Sequence, residues 1–283
     1  MRPADRVGSL AAGVATALLF GFVIIPILAI FVRVPPSTLI AQIGSRASLD
    51  ALLVSLRSTL IAVGFIVVFG TPAAYLLGTK RFRGAGLLTT LLELPLVLPP
   101  AVAGIGLFAA FGRVGLLGSS LRAFGIEIPF SRAAVVMALA FVALPFYART
   151  AVAAFAAMDH RLLGASRSLG AGRARTFFSV ALPLARQGLS AGAALAWARA
   201  LGEFGATILF AGSLPGKTQT LPLAIYDEFS GGNFDGALAI SALLVVVSAG
   251  LLVGVRVLLR TRQLKEELSW EWDRSSRSTS ITV

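Results

Sequence analysis

The feature that most constrains this chain is a recurrence of long apolar stretches, at about 8–32, 51–78, 87–111, 132–156, 186–211 and 236–259. Crossing the hydrocarbon layer of a bilayer takes about 20 apolar residues, and backbone in lipid must satisfy its own hydrogen bonds, so each stretch is predicted as a helix. A soluble domain of this size needs one core, and six such stretches exceed it. The 283 residues are 57% hydrophobic and 13% charged, which agrees. The expected fold class is all-α, a polytopic membrane protein with six transmembrane helices over 1–259 and a polar tail at 260–283. Arg2 and Arg6 resemble the start of a secretory leader, but the run from Val7 to Val32 far exceeds a leader's apolar region of about 7–15 residues and reads as a retained span.

Composition also excludes function classes. There is no cysteine and a single histidine, His160, so neither a disulfide framework nor a thiolate or imidazole metal site can be assembled. The same shortage removes the constellations a membrane enzyme would need. A net charge of +12 would suit nucleic acid, but in a membrane chain excess Lys and Arg mark the loops left on the cytoplasmic side. Sixteen of them fall at the N-terminus, in the second and fourth loops and in the tail; six fall in the opposite loops. Arg57, Arg149 and Arg199 lie inside the predicted spans. This bias places both termini in the cytoplasm, with lipid as the surrounding medium and no nucleic-acid partner.

Two stretches interrupt the apolar pattern. LELPLVLPP, Leu92 to Pro100, puts three prolines and Glu93 into the third span. Proline frees carbonyls, which at membrane depth are tolerated only against protein or a water-filled cavity, so the stretch reads as either a kink or a path-lining break at Pro99 and Pro100. The largest cytoplasmic loop, at about 157–185, carries the second interruption. From Asp159, a candidate N-cap, Leu162, Ser166 and Leu169 fall on one helical face, and Gly170 stops the helix at a turn. Ala174, Phe177, Phe178 and Ala181 then recur at helical spacing until Pro183, which is expected to end a second short helix. Periodicity alone leaves open an ordinary interfacial loop.

The spacing of that loop carries more. Gly164-Ala165-Ser166, then Gly170, then VALP ending at Pro183 resembles the cytoplasmic signature of bacterial ABC importer permeases, with Gly164 and Ser166 departing from its acidic and alanine positions. The resemblance implies a coupling helix that docks in a cleft of an ATP-hydrolysing subunit. Downstream, Arg199 and Glu203 are four apart and able to pair, as a structural clasp or as part of a path. ALGEFGAT, followed by PGKTQTLPLAIY, resembles the permease subunit of molybdate importers and their tungstate and sulfate relatives. That resemblance implies a homodimer in the bacterial cytoplasmic membrane, an ATPase dimer below and an extracytoplasmic oxyanion-binding protein above. ATP and Mg would sit on the partner subunit, with no cofactor and no catalysis on this chain. Gly202, Thr207, Pro99 and Pro100 are expected to border the path, with Arg199 and Glu203 holding the packing.

Other signals in the sequence are weaker. AGSLPGKT, Ala211 to Thr218, has Ala211 where a phosphate-binding loop needs its first glycine, and it follows a membrane helix in place of a buried strand. Asp227, Glu228 and Asp235 read as a solvated acidic face. RSSRSTS at Arg274 to Ser280 reads as disordered, and Trp270 and Trp272 as interfacial residues. An ion-coupled secondary transporter is the alternative class; it would rely on Arg57, Glu93, Arg149, Arg199 and Glu203, but the two halves show no repeat.

Overall fold

The computed structural model describes residues 3–80, 82–254 and 257. The predicted first span is helix α1, Pro3–Val32, and α2, Pro36–Ile43, follows it. The second span is α3, Arg46–Thr79, which runs longer than expected because Ser45 caps its start by accepting the Ser48 amide at 3.2 Å. The charge-free residues 58–79 of α3 cover about 33 Å at 1.5 Å per residue, about one hydrocarbon thickness, and Arg57 stands at the head of that stretch within the candidate span Arg46–Thr79.

The third stretch is not one rod. Helix α4, Ala85–Val97, and α5, Pro100–Phe111, meet at a 115° bend at Leu98 and Pro99, where proline cannot supply the amide that would carry the helix through. After the short α6, Gly118–Ala123, helix α7 runs Arg132–Ala156, the limits expected from sequence, with the Ser131 hydroxyl accepting the Ala134 amide at its start. Then come α8, His160–Ser168, and α9, Arg173–Thr176, a π-helical segment Phe177–Ala181, and α10, Leu182–Leu201. Helix α11, Gly205–Ala211, is bent 63° from α10, so the fifth stretch is also broken. Helix α12, Leu221–Ser230, precedes α13, Phe234–Gly254. The polar tail, with Trp270 and Trp272, lies outside the described residues.

Among the described residues, four helices are long and apolar enough to cross a membrane, six when each bent pair counts as one span. The core is built by α3, α7 and α10. Gly78 would place a Cβ 2.8 Å from Phe155 Cβ, Gly188 one 2.5 Å from Ala154 Cβ, and Gly192 one 3.2 Å from Thr150 Cβ. Without a hydrophobic drive between helices in lipid, such small residues let backbones approach and gain dispersion contacts. Tyr147, Phe155, Ile66 and Leu139 fill the space between them, and the buried hydroxyls of Thr71 and Tyr147 bond each other.

Candidate coupling loop and translocation path

At one end of the bundle, the C-termini of α3 and α7 meet the α8 segment. Asp159 caps α8 as expected, its carboxylate accepting the Arg161 amide at 2.9 Å. At the other end of α8, Ala171 N–H donates to Ser166 C=O (3.1 Å) and Gly170 N–H to Arg167 C=O (2.9 Å), the paired bonds of a Schellman turn. Gly170 has φ 85°, which only a residue without Cβ adopts at little cost.

The facing of α8 differs from the sequence expectation. Leu163 is the buried anchor, and Ser166 turns partly inward, its hydroxyl 3.3 Å from that of buried Thr176. Leu162 is 46% and Leu169 89% exposed, and Gly164 and Ala165 are exposed between them, so α8 presents small and leucine side chains away from the bundle. The second helix differs too. Pro183 does not end it: the chain runs helically from Arg173 to Leu201, because the π-helical segment, with Leu182 N–H donating to Phe177 C=O, makes room for the proline ring. This shift of phase leaves Phe178 64% exposed, off the expected stripe, while Phe177 reaches Tyr75 and Phe155 with ring centroids 4.9 and 6.5 Å away. An aromatic cluster thus joins the α8–α9 segment to α3 and α7.

The two broken spans meet at mid-bundle. A Cβ on Gly205 would lie 2.8 Å from Pro100 Cβ, and one on Gly104 would lie 2.8 Å from Ala206 O, so α5 and α11 run side by side in the same direction. Glu203 organises the second break. Its side chain is 1% exposed; Oε2 pairs with Arg199 Nη2 at 2.6 Å, and Oε1 accepts the Ala206 amide at 2.8 Å. The expected pair therefore forms across the break, and the carboxylate also caps the start of α11, a role that sequence reading missed. Pro99, Pro100 and Gly202 are exposed beside it. Thr207 is fully buried, and its hydroxyl has no partner among the described residues. A second ion pair, Arg149 Nε to Glu93 Oε1 at 3.3 Å, ties α7 to α4.

At the far end, the P-loop-like stretch is closed on itself. The amides of Lys217, Thr218 and Gln219 all donate to Leu214 C=O, so they do not line an open phosphate cradle. Asp227 accepts from Ser213 and Gln219, and Glu228 from Asn233 and Gln42, so the acidic residues brace this loop through neutral donors.

Two bent spans joined at mid-bundle, beside an exposed short helix at one end, are an arrangement with known relatives. Residues 67–263 match the family described as binding-protein-dependent transport system inner membrane component. The chain belongs to this family. It is 44% identical to the molybdenum transport system permease protein ModB of Mycobacterium tuberculosis over 236 residues, covering 83% of this chain and 88% of that one. The Escherichia coli protein of the same name is 45% identical over 178 residues, 62% of this chain and 78% of its own. Among solved structures, a bacterial ABC transporter importing the acidic polysaccharide alginate superposes with TM-score 0.71 at 16% identity, over 91% of this chain and 96% of that one. Membership of a binding-protein-dependent family sets aside the ion-coupled alternative.

Proposed function

We propose that this chain is the transmembrane subunit of an ATP-driven importer of a tetrahedral oxyanion, with molybdate as substrate, working as a homodimer in the bacterial cytoplasmic membrane with both termini inside. The observation that carries the reading is the 44% identity to a molybdenum permease across most of both chains. The exposed face of α8, with Leu162, Gly164, Ala165 and Leu169, is the surface offered to a dimer of ATPase subunits. Ser166, Gly170 and Pro183 set its angle and its connection to α10. An extracytoplasmic binding protein delivers the anion to the opposite end. The path between two copies passes Pro99, Pro100 and Gly202; Thr207 joins it when α11 and α5 part, and Arg199 with Glu203 holds the break in shape. ATP and Mg reside on the partner subunit, and this chain holds no cofactor.

The test is ATP hydrolysis by the reconstituted complex with binding protein preloaded with molybdate, tungstate or sulfate. The expected result is stimulation greatest with molybdate and no nucleotide binding by the isolated chain. Stimulation greatest with sulfate would reassign the substrate, and saturable ATP binding by the chain alone would remove the division of labour.

A further inference from the structure

Between α3, α5 and α7 lies a groove of about 280 Å³ whose walls, including Phe65, Leu107, Phe111, Val136, Phe141 and Leu144, are entirely apolar. Its depth follows from helix register. Gly70 abuts Tyr147 and the Gly78 position abuts Phe155, so α3 and α7 run parallel in constant register. That register sets Arg57 level with Ala134, two residues from Arg132. At 1.5 Å per residue the groove begins about 6 Å below Arg132, at Val136, and ends about 18 Å below it, at Leu144. Half of a hydrocarbon core is about 15 Å, so the groove occupies the acyl-chain depth of one leaflet, the one opposite α8.

Cations crown it. Arg57 is exposed, shares the exposed stripe of α3 with Ile61 and Phe65, and has no hydrogen-bond or ion-pair partner among the described residues. Arg132 donates from one nitrogen to Gly216 C=O at 3.3 Å, which leaves most of the five guanidinium N–H groups for another acceptor. Arg113, just beyond α5, is neutralised by Glu127 at 3.1 Å.

We propose that this groove is a phospholipid site: one acyl chain of an anionic glycerophospholipid lies along Phe65 and Phe141, and the phosphate meets Arg57 and Arg132. Charge complementarity selects the anionic lipid, because a zwitterionic headgroup brings a cation of its own beside two arginines. The same charges favour a lipid over a helix of a second copy: Ala12–Val32 carries no acidic side chain that could meet the two arginines. Helix α1 of a second copy is the competing occupant, since none of Ala12–Val32 is buried within its own chain.

Native mass spectrometry of the full-length protein, offered phosphatidylglycerol or phosphatidylcholine in equal amounts, tests this. Wild type should retain phosphatidylglycerol preferentially. Arg57→Gln should reduce the preference about fivefold, the effect of one basic residue near a lipid surface, and Arg57→Lys should keep it. Val136→Trp, which fills the slot, should lose both lipids; Arg57→Gln lies on an exposed face and reads out even if Val136→Trp fails to fold. Equal retention of the two lipids by wild type, or an unchanged preference in Arg57→Gln, overturns the site. The chain has no cysteine, so cysteines placed at Phe20 and Phe141 report on the competitor: efficient disulfide formation between two copies would put α1 in the groove and also overturn it.

Discussion

Glu203 shows how one side chain can hold a broken membrane helix. Its carboxylate is almost fully buried, pairs with Arg199 through one oxygen and takes the Ala206 amide on the other. Backbone amides left free by the break would otherwise stay unsatisfied at membrane depth. Removing only one partner of a buried pair strands a charge, at about 3–5 kcal/mol. Arg199→Ala should therefore lower the thermal unfolding midpoint in detergent. The double variant Arg199→Leu, Glu203→Gln should recover most of it, because Gln still accepts the Ala206 amide. An unchanged midpoint for Arg199→Ala together with lost oxyanion uptake would assign the pair to the path. The i,i+4 spacing made this pair legible in sequence, but the break between its members was not. No proline stands there, and the signal was the bare run Gly202-Glu203-Phe204-Gly205, whose glycines read equally well as packing sites.

The connection from α8 to α10 depends on the turn at Gly170. Gly170 has φ 85° and open space where a Cβ would stand, so Gly170→Val meets no neighbour and costs only backbone strain, about 1–3 kcal/mol. Membrane abundance should be normal, while co-purification of the ATPase or oxyanion-stimulated hydrolysis should fall. Ser278→Val, in the tail outside the described residues, should change neither. Wild-type coupling in Gly170→Val would make α8 an ordinary interfacial helix. The α8 cap and turn were readable because Asp159 and Gly170 are local signals, settled by their own backbone bonds. Its facing was not, since Leu162 and Leu163 fit adjacent faces equally and only packing against α7 and the π-helical segment chose Leu163. The same limit hid the path through Pro183: a wide turn that accommodates proline leaves no mark in composition. Helix α7 was legible to its last residue because Ser131 caps it and one continuous apolar run fills it.

At the scale of the whole molecule, stability is concentrated in α3, α7 and α10, and α1 stands apart from them. None of Ala12–Val32 is buried, whereas 56% of the α7 window is. Burial contributes in proportion to the contacts made, and a helix touching only lipid adds nothing to the cohesion of the bundle. Deleting α1 would be a poor test, because the first span helps set the orientation of those that follow. Cutting it after folding avoids that difficulty. With a protease site inserted between exposed Val32 and Arg33, on the α1 side of buried Val34, cleavage of the purified protein should leave the unfolding midpoint of the bundle unchanged within about 2 °C, the shift expected for less than about 1 kcal/mol in a chain of this size. Size-exclusion chromatography followed by mass analysis then shows where the severed helix goes. Loss of α1 to the detergent would mark lipid as its only neighbour, and retention with an unchanged midpoint would place it against a second copy. A large fall in the midpoint would contradict the division of the chain into a packed bundle and a separate first span.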